Sequence, residues 1–378
     1  MPATPPGRCW RRIAVPVARG RTMAQEMTSH ERLRRVYDHQ EPDRVPLTDS
    51  PWGVTVARWR REGFPADANV GDFFGFEKTA GIGADNGPRY PSEVIEETDE
   101  YVISTSAWGA TQKNWKNSAS TPDFLDFRIR DRETWEDAKA RIQPTDDRVN
   151  WENLERNYAT WRAEGRWIQA GLWFGYDVFA SWHVGTERML MAMAMDPDWC
   201  RDMFSHSLET QLTLYERVWD KGYEFDCISF PDDLGYRNGL FFSVPMYRDV
   251  LKPAHKRAFD WAHDRGVKVM MHSCGNILEL LPDLIEIGLD GLNPLETKAG
   301  MDLVEVKRDY GDDLVLQGGI DVRAMPDGEA IEEEIRTKVT AAKEGGGYIY
   351  HSDHSVPNDV SFSDFCRVIA LVNHYGSY

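Results

Sequence analysis

From about residue 133 to the C-terminus, short apolar runs bounded by turn residues alternate with longer amphipathic stretches. The runs predict strands at 167–173, 225–231, 267–273, 289–295, 314–318 and 347–351. Helical periodicity lies between and after them at 187–195, 199–221, 246–265, 277–287, 301–309, 329–344 and 362–374. Short strands alternating with helices predict βα units and a parallel sheet. Upstream, a short amphipathic helix covers 30–39, the turn Glu41-Pro42-Asp43 follows, and a strand is expected at 44–48. Polar and apolar residues alternate through 93–116 around Asp99-Glu100, the pattern of an antiparallel hairpin. Six or more βα units with no Gly-x-Gly-x-x-Gly fingerprint after the first point to one (β/α)8 TIM-like barrel with an N-terminal β-hairpin insertion. A dinucleotide-binding fold is the poorer match.

The strand ends carry the polar chemistry, and in a barrel that end is the catalytic face. Residues 267–271 are mostly apolar and run into His272-Ser273-Cys274-Gly275-Asn276. Side chains two apart on a strand share a face, so His272 and Cys274 point the same way. An imidazole and a thiol together suit Zn²⁺; a core Cys beside a hydrogen-bonded His is the plainer alternative. Asp232 and Asp233 follow another apolar run, and one of them is expected in the barrel mouth as a general acid or base, or as support for a metal ligand. Trp173, Tyr176 and Trp52 are candidates for an aromatic substrate pocket. Glu296 is a candidate fourth metal ligand or substrate acceptor, with a plain ion pair to Lys298 as the alternative. Gln317, beside Gly318-Gly319, is a candidate substrate contact, and Asp321 is expected to cap the next helix.

Composition narrows the class. The chain has 378 residues, 28% of them charged, with a net charge of −18. Nucleic acid and anionic membrane surfaces are poor partners for such a balance, because phosphate binding needs clustered Lys and Arg. No apolar run approaches membrane-spanning length. Five unpaired cysteines suit a reduced, cytoplasmic protein; Cys200, Cys227 and Cys366 lie in helix or strand patterns and read as core thiols. Fourteen tryptophans leave room for a homodimer. Residues 1–26 differ in character, with five arginines among Pro and Gly, and read as a leader or a start placed too early. The barrel domain is therefore expected to span 27–378, opening on a helix capped by Thr28 or Ser29 with Glu31 in its first turn.

Several segments together resemble the uroporphyrinogen decarboxylase superfamily. They are Glu41-Pro-Asp-Arg-Val-Pro46, Asp232-Asp233-Leu-Gly235, Met271-His-Ser-Cys-Gly-Asn276, Leu316-Gln-Gly-Gly-Ile-Asp321 and His351-Ser-Asp-His-Ser-Val-Pro357. The resemblance implies the same barrel, and it is nearer to the zinc-dependent methyltransferases that work with thiols and corrinoid proteins. True decarboxylases carry an Arg-rich opening segment; here the matching stretch holds only Arg58, Arg60 and Arg61 nearby. In the methyltransferases a His-x-Cys pair and a later Cys hold zinc. His272 and Cys274 match the pair, and the later Cys falls at Asp353 when the segments are anchored on Pro357. The resemblance thus implies His272, Cys274 and Asp353 as ligands; strand geometry at 351–354 keeps His354, then His351, as alternatives to Asp353. It further implies a methyl group moved between a small substrate and a corrinoid protein or thiol. A decarboxylase of a small carboxylated compound is the second expectation, and a barrel that only binds a ligand or corrinoid partner is the third.

Overall fold

The structure is a computed structural model that describes residues 26–117 and 121–378. The expectation for residues 1–25 lies outside the described residues. Seven strands form one parallel sheet in the order Thr79–Gly83, Trp167–Gly171, Cys227–Pro231, Lys268–His272, Gly291–Asn293, Val315–Gln317 and Tyr348–Ile349. The segment expected as a strand at 44–48 closes the ring. The Tyr350 N–H donates to the Pro46 carbonyl, the Thr48 N–H to the Tyr350 carbonyl and the Glu77 N–H to the Leu47 carbonyl. Only a single parallel bridge, Leu47 to Tyr350, marks the pairing there, because Pro46 has no N–H to extend a ladder. The fold is a (β/α)8 barrel. The insertion is a four-stranded antiparallel sheet, Val94–Glu97, Tyr101–Thr105, Ala110–Trp115 and Asp123–Phe127.

Differences from the sequence pattern have local causes. The strand Thr79–Gly83, Thr-Ala-Gly-Ile-Gly, carries too few apolar residues to announce itself. The helix expected at 246–265 breaks into Val244–Val250 and Lys252–His263, since Pro253 has no N–H to give the preceding turn. Asp321 does not cap a helix; its carboxylate accepts from the Arg323 N–H within a turn, and Asp327 caps Gly328–Lys343. Among the described residues no helix is long and apolar enough to cross a membrane.

Strand parity sorts the barrel into layers. Ile82, Ile168, Ala170, Ile228, Phe230, Val269, Met271, Leu292 and Leu316 are buried in the larger core between sheet and helices. The inward residues Trp167, Cys227, Met270, Val315 and Ile349 form a separate apolar cluster with Leu33, Val36 and Tyr37. Helix Ser29–Tyr37, held by a capping box between Thr28 and Glu31, thus plugs the floor. Two residues along, the inward positions turn polar: Gln169, Ser229, His272, Gln317 and His351. Gly81, Gly83 and Gly171 share that inward face and are exposed; a Cβ added to any of them meets nothing within 4 Å. The lumen is therefore sealed below and open above.

The plug is held by a buried ion network. Arg32, 2% exposed, pairs with Asp43 at 2.6 Å and with the Glu77 carboxylate at 2.8 Å, and Arg44 reaches the other Glu77 oxygen. Cutting one member leaves buried charge uncompensated. We expect Arg32→Ala to lower unfolding free energy by about 3 kcal/mol in urea melts, whereas Arg35→Ala on the same helix, exposed to solvent, should shift it by less than about 0.5 kcal/mol.

Candidate metal centre

Strand Lys268–His272 ends at the mouth, and the chain turns sharply at Gly275, where φ is +80°. A Cβ there would lie 2.3 Å from the Gly235 carbonyl carbon, so only glycine permits the two loops to meet. The turn is pinned twice from outside: the Cys274 N–H donates to Asp233 Oδ1 at 2.8 Å, and the Gly275 N–H donates to Glu296 Oε2 at 2.8 Å. The consequence is a cluster of three donor types. His272 Nε2 lies 3.5 Å from Cys274 Sγ and 3.8 Å from Asp233 Oδ1. One ligand atom from each of Asp233, His272 and Cys274 falls within 4.8 Å of the others, and all three residues are half-buried.

The imidazole is set for coordination. Asn293 Nδ2 donates to the Gln317 carbonyl at 3.1 Å, which turns Asn293 Oδ1 toward His272 Nδ1 at 2.6 Å. Nδ1 must therefore carry the proton, and Nε2 presents its lone pair to the cluster. Holding the ligating ring through its other nitrogen is the usual way a protein orients a metal-binding His. Nitrogen, sulfur and carboxylate oxygen in one cluster are donor types that a zinc site uses.

Burial, then the negative charges of Asp233 and Glu296, push the Cys274 thiol far above its usual range. Burial also raises the Asp233 carboxyl, although His272 and the Cys274 N–H draw it down. Both shifts favour the protonated forms, and a cation bound there would oppose them. Nearby, Asp177 is pushed up to about 7 by burial and by Asp233, against a hydrogen bond from Ser181.

The structure separates residues that the sequence had grouped. Asp233 joins His272 and Cys274, but Asp232 turns away. Its carboxylate, fully buried, accepts from His255 Nε2 at 2.9 Å and from the Asp177 N–H at 2.7 Å, and Tyr247 bonds the far side of His255. Asp353, expected as the third ligand, stands apart from the pair. The chain beyond Ile349 follows the 318–320 loop, with the Asp353 N–H donating to the Ile320 carbonyl. One Asp353 oxygen then accepts from Thr297 N–H and the other from Val322 N–H, each at 3.1 Å. Its carboxylate thus ties two loops together instead of facing the cluster. His354 lies beside the Trp52 ring, and His351 faces Ser50 inside the lumen.

The expected substrate contacts divide as well. Glu296 is 6% exposed and holds Gly275 while pairing with Lys298 at 2.9 Å, so the plain ion pair is present and the loop depends on it. Tyr176 is buried against Phe241 and Phe242. Trp173 packs beside Trp108 and Trp182 and lines an open cavity of about 840 Å³. Gln317 faces the lumen. The sequence analysis assigned no role to Asn293 or Asp177. Asn293 ends the strand Gly291–Asn293, so the strand-end rule reaches it, whereas Asp177 lies six residues past Gly171.

The raised Asp177 carboxyl has a stability consequence with a definite sign. Because the folded state binds this proton more tightly than the unfolded chain, its contribution is complete below about pH 4 and is lost as pH rises through about 7. In chelator-treated protein, Asp177→Asn should gain on wild type as pH rises from 4 to 7, by at most about 1.4 kcal/mol per pH unit. Urea melts at a series of pH values check this; parallel curves would contradict it.

The family model described as Uroporphyrinogen decarboxylase (URO-D) matches residues 179–375, just over half of the chain. Among solved structures, a methyltransferase from Methanosarcina mazei aligns with a TM-score of 0.62 at 15% identity, covering 93% of this chain and 99% of that one. A structure of fungal beta-1,4-galactanases aligns at a TM-score of 0.32 and 12% identity over 61% of this chain and 84% of that one, too distant to bear on function. No curated protein matches the sequence.

Proposed function

The chain belongs to the uroporphyrinogen decarboxylase family, and from that premise we propose that it is a zinc-dependent methyltransferase moving a methyl group between a small substrate and a thiol or corrinoid-bearing partner. The observation that carries this reading is the His272–Cys274–Asp233 cluster, with its imidazole already held in the coordinating tautomer. The fold shared with a methyltransferase is consistent with it. When bound, zinc would supply positive charge that keeps an acceptor group deprotonated and nucleophilic at neutral pH. A cytoplasmic setting and a corrinoid partner are part of the proposal.

The protein's own residues would do the rest. Asn293 keeps the His272 ring fixed, and Glu296 keeps the Cys274–Gly275 turn from relaxing. Methyl transfer breaks the bond between carbon and donor atom, leaving its electron pair on the donor, while an acceptor lone pair forms the new bond. The acceptor must lose a proton beforehand or the donor must gain one afterwards. Asp177, close enough to Asp233 and Cys274 for their charges to act on one another, has a proton affinity suited to that exchange near neutral pH. A substrate rich in carboxylates is less well served. Arg58 is engaged with Glu62 and the Asn358 carbonyl, and Arg60 with the Ala66 carbonyl.

Purified protein is expected to carry one zinc per chain, measured by plasma emission. Cys274→Ala and Asp233→Ala should lose the metal and the transfer activity together, whereas Asp353→Asn should retain zinc. Asn293→Leu should weaken zinc affinity about 10- to 100-fold in chelator competition. Full activity in a metal-free preparation would sink the reading.

A further inference from the structure

The lumen holds a cavity of about 200 Å³. At about 30 Å³ per water, that is room for roughly seven waters, or for a molecule of only a few heavy atoms. Its floor includes the stacked rings of Tyr37 and Trp167, with centroids 5.3 Å apart, and its walls include Gln169, Gln317, Asp49 and His351. No Lys or Arg lines it.

The walls are biased toward hydrogen-bond acceptors, and backbone geometry creates the bias. Thr48 Oγ1 donates to the Tyr350 carbonyl at 2.8 Å, so its lone pairs are left to accept from Gln317 Nε2 at 3.0 Å. The Gln317 carboxamide is thereby oriented, and its oxygen has no partner among the described residues. His351 Nδ1 donates to the Ser352 carbonyl at 2.6 Å, which makes Nε2 an acceptor, facing the Ser50 hydroxyl. The Gln169 amide likewise has no protein partner among the described residues and can turn its oxygen inward. Asp49 accepts from Tyr350, Ser352 and the Ser50 N–H, placing a carboxylate in the wall behind.

Acceptor oxygens, a carboxylate and aromatic rings below, with no Lys or Arg in the lining, favour a small cation that donates hydrogen bonds. An anion would face the Asp49 carboxylate and the free Gln317 oxygen. A chain carrying net charge −18 would draw a cation toward the protein.

We propose that the luminal cavity binds a small protonated amine bearing a methyl group. The inference deepens the proposed function, and rests on it for the methyl group; the protonated amine rests on the cavity alone. Binding is testable by itself, with the full chain, zinc-loaded and chelated, titrated calorimetrically with trimethylammonium chloride at pH 7. Shape-matched tert-butanol and acetate serve as the neutral and anionic probes. Trimethylammonium should bind saturably, tert-butanol about tenfold or more weakly, as expected when a hydrogen bond to a charged group is lost, and acetate not at all. Gln317→Leu should weaken ammonium binding about tenfold or more, while Gln169→Glu, which adds a negative charge at the wall, should tighten it. Circular dichroism establishes that each variant is folded. No ammonium binding, acetate binding as tight, or ammonium binding unchanged in both variants would overturn the assignment. Ammonium binding by a protein that transfers no methyl group supports the cavity assignment and overturns only the methyltransferase reading.

Discussion

Two backbone carbonyls, those of Gln317 and Tyr350, orient the polar layer of this barrel. The first accepts from Asn293, whose amide oxygen then fixes His272. The second accepts from Thr48, whose hydroxyl then fixes the Gln317 side chain. A carbonyl at a strand end cannot rotate, because its peptide plane is held by the sheet. A side chain hydrogen-bonded to it inherits that rigidity, and so does the next. The direction in which each amide and imidazole presents a donor or an acceptor is thereby decided by the barrel itself.

That rigid layer sits on an apolar floor, and the contrast between them makes the site. Trp167, Cys227, Met270, Val315 and Ile349, sealed by the Ser29–Tyr37 helix, exclude water from below. Above them, three inward glycines leave the lumen open. Partial burial raises the Cys274 thiol and the Asp233 and Asp177 carboxyls together, because each charge would have to stand near the others in a poorly solvated place. Such crowding favours the protonated form of each group over the charged one.

The split between Asp232 and Asp233 shows how the scaffold and the site share a short sequence. Successive residues at a strand end point to opposite sides. One carboxylate goes outward to buried His255 and holds the 175–177 loop, and its neighbour enters the mouth. Gly175 makes the first contact possible, since a Cβ there would lie 2.3 Å from Asp232 Oδ2. Asp177 is thus positioned through Asp232, and Cys274 through Asp233.

Much of the barrel was legible from hydrophobic spacing, because strand and helix periods are local properties. The six strands expected from 167 onward all form, and the hairpin around Asp99-Glu100 is present within a larger sheet. The strand Thr79–Gly83 escaped because it carries few apolar residues, and its inward Gly81 and Gly83 hold the lumen open. His272 and Cys274 were legible as a pair, since two residues on one strand obey parity without reference to anything else. Their third companion was not. Asp353 was the reasonable extension from motif spacing, yet its loop follows residues 318–320 and spends both oxygens on Thr297 and Val322. Asp233 reaches the cluster from a different strand, through a contact that exists only after the sheet has formed. Sequence alone determined which residues end the strands and which face each one takes. Which strand ends meet, and which lone pairs are left over, was decided by the tertiary structure, because hydrogen-bond direction depends on neighbours far away in the chain.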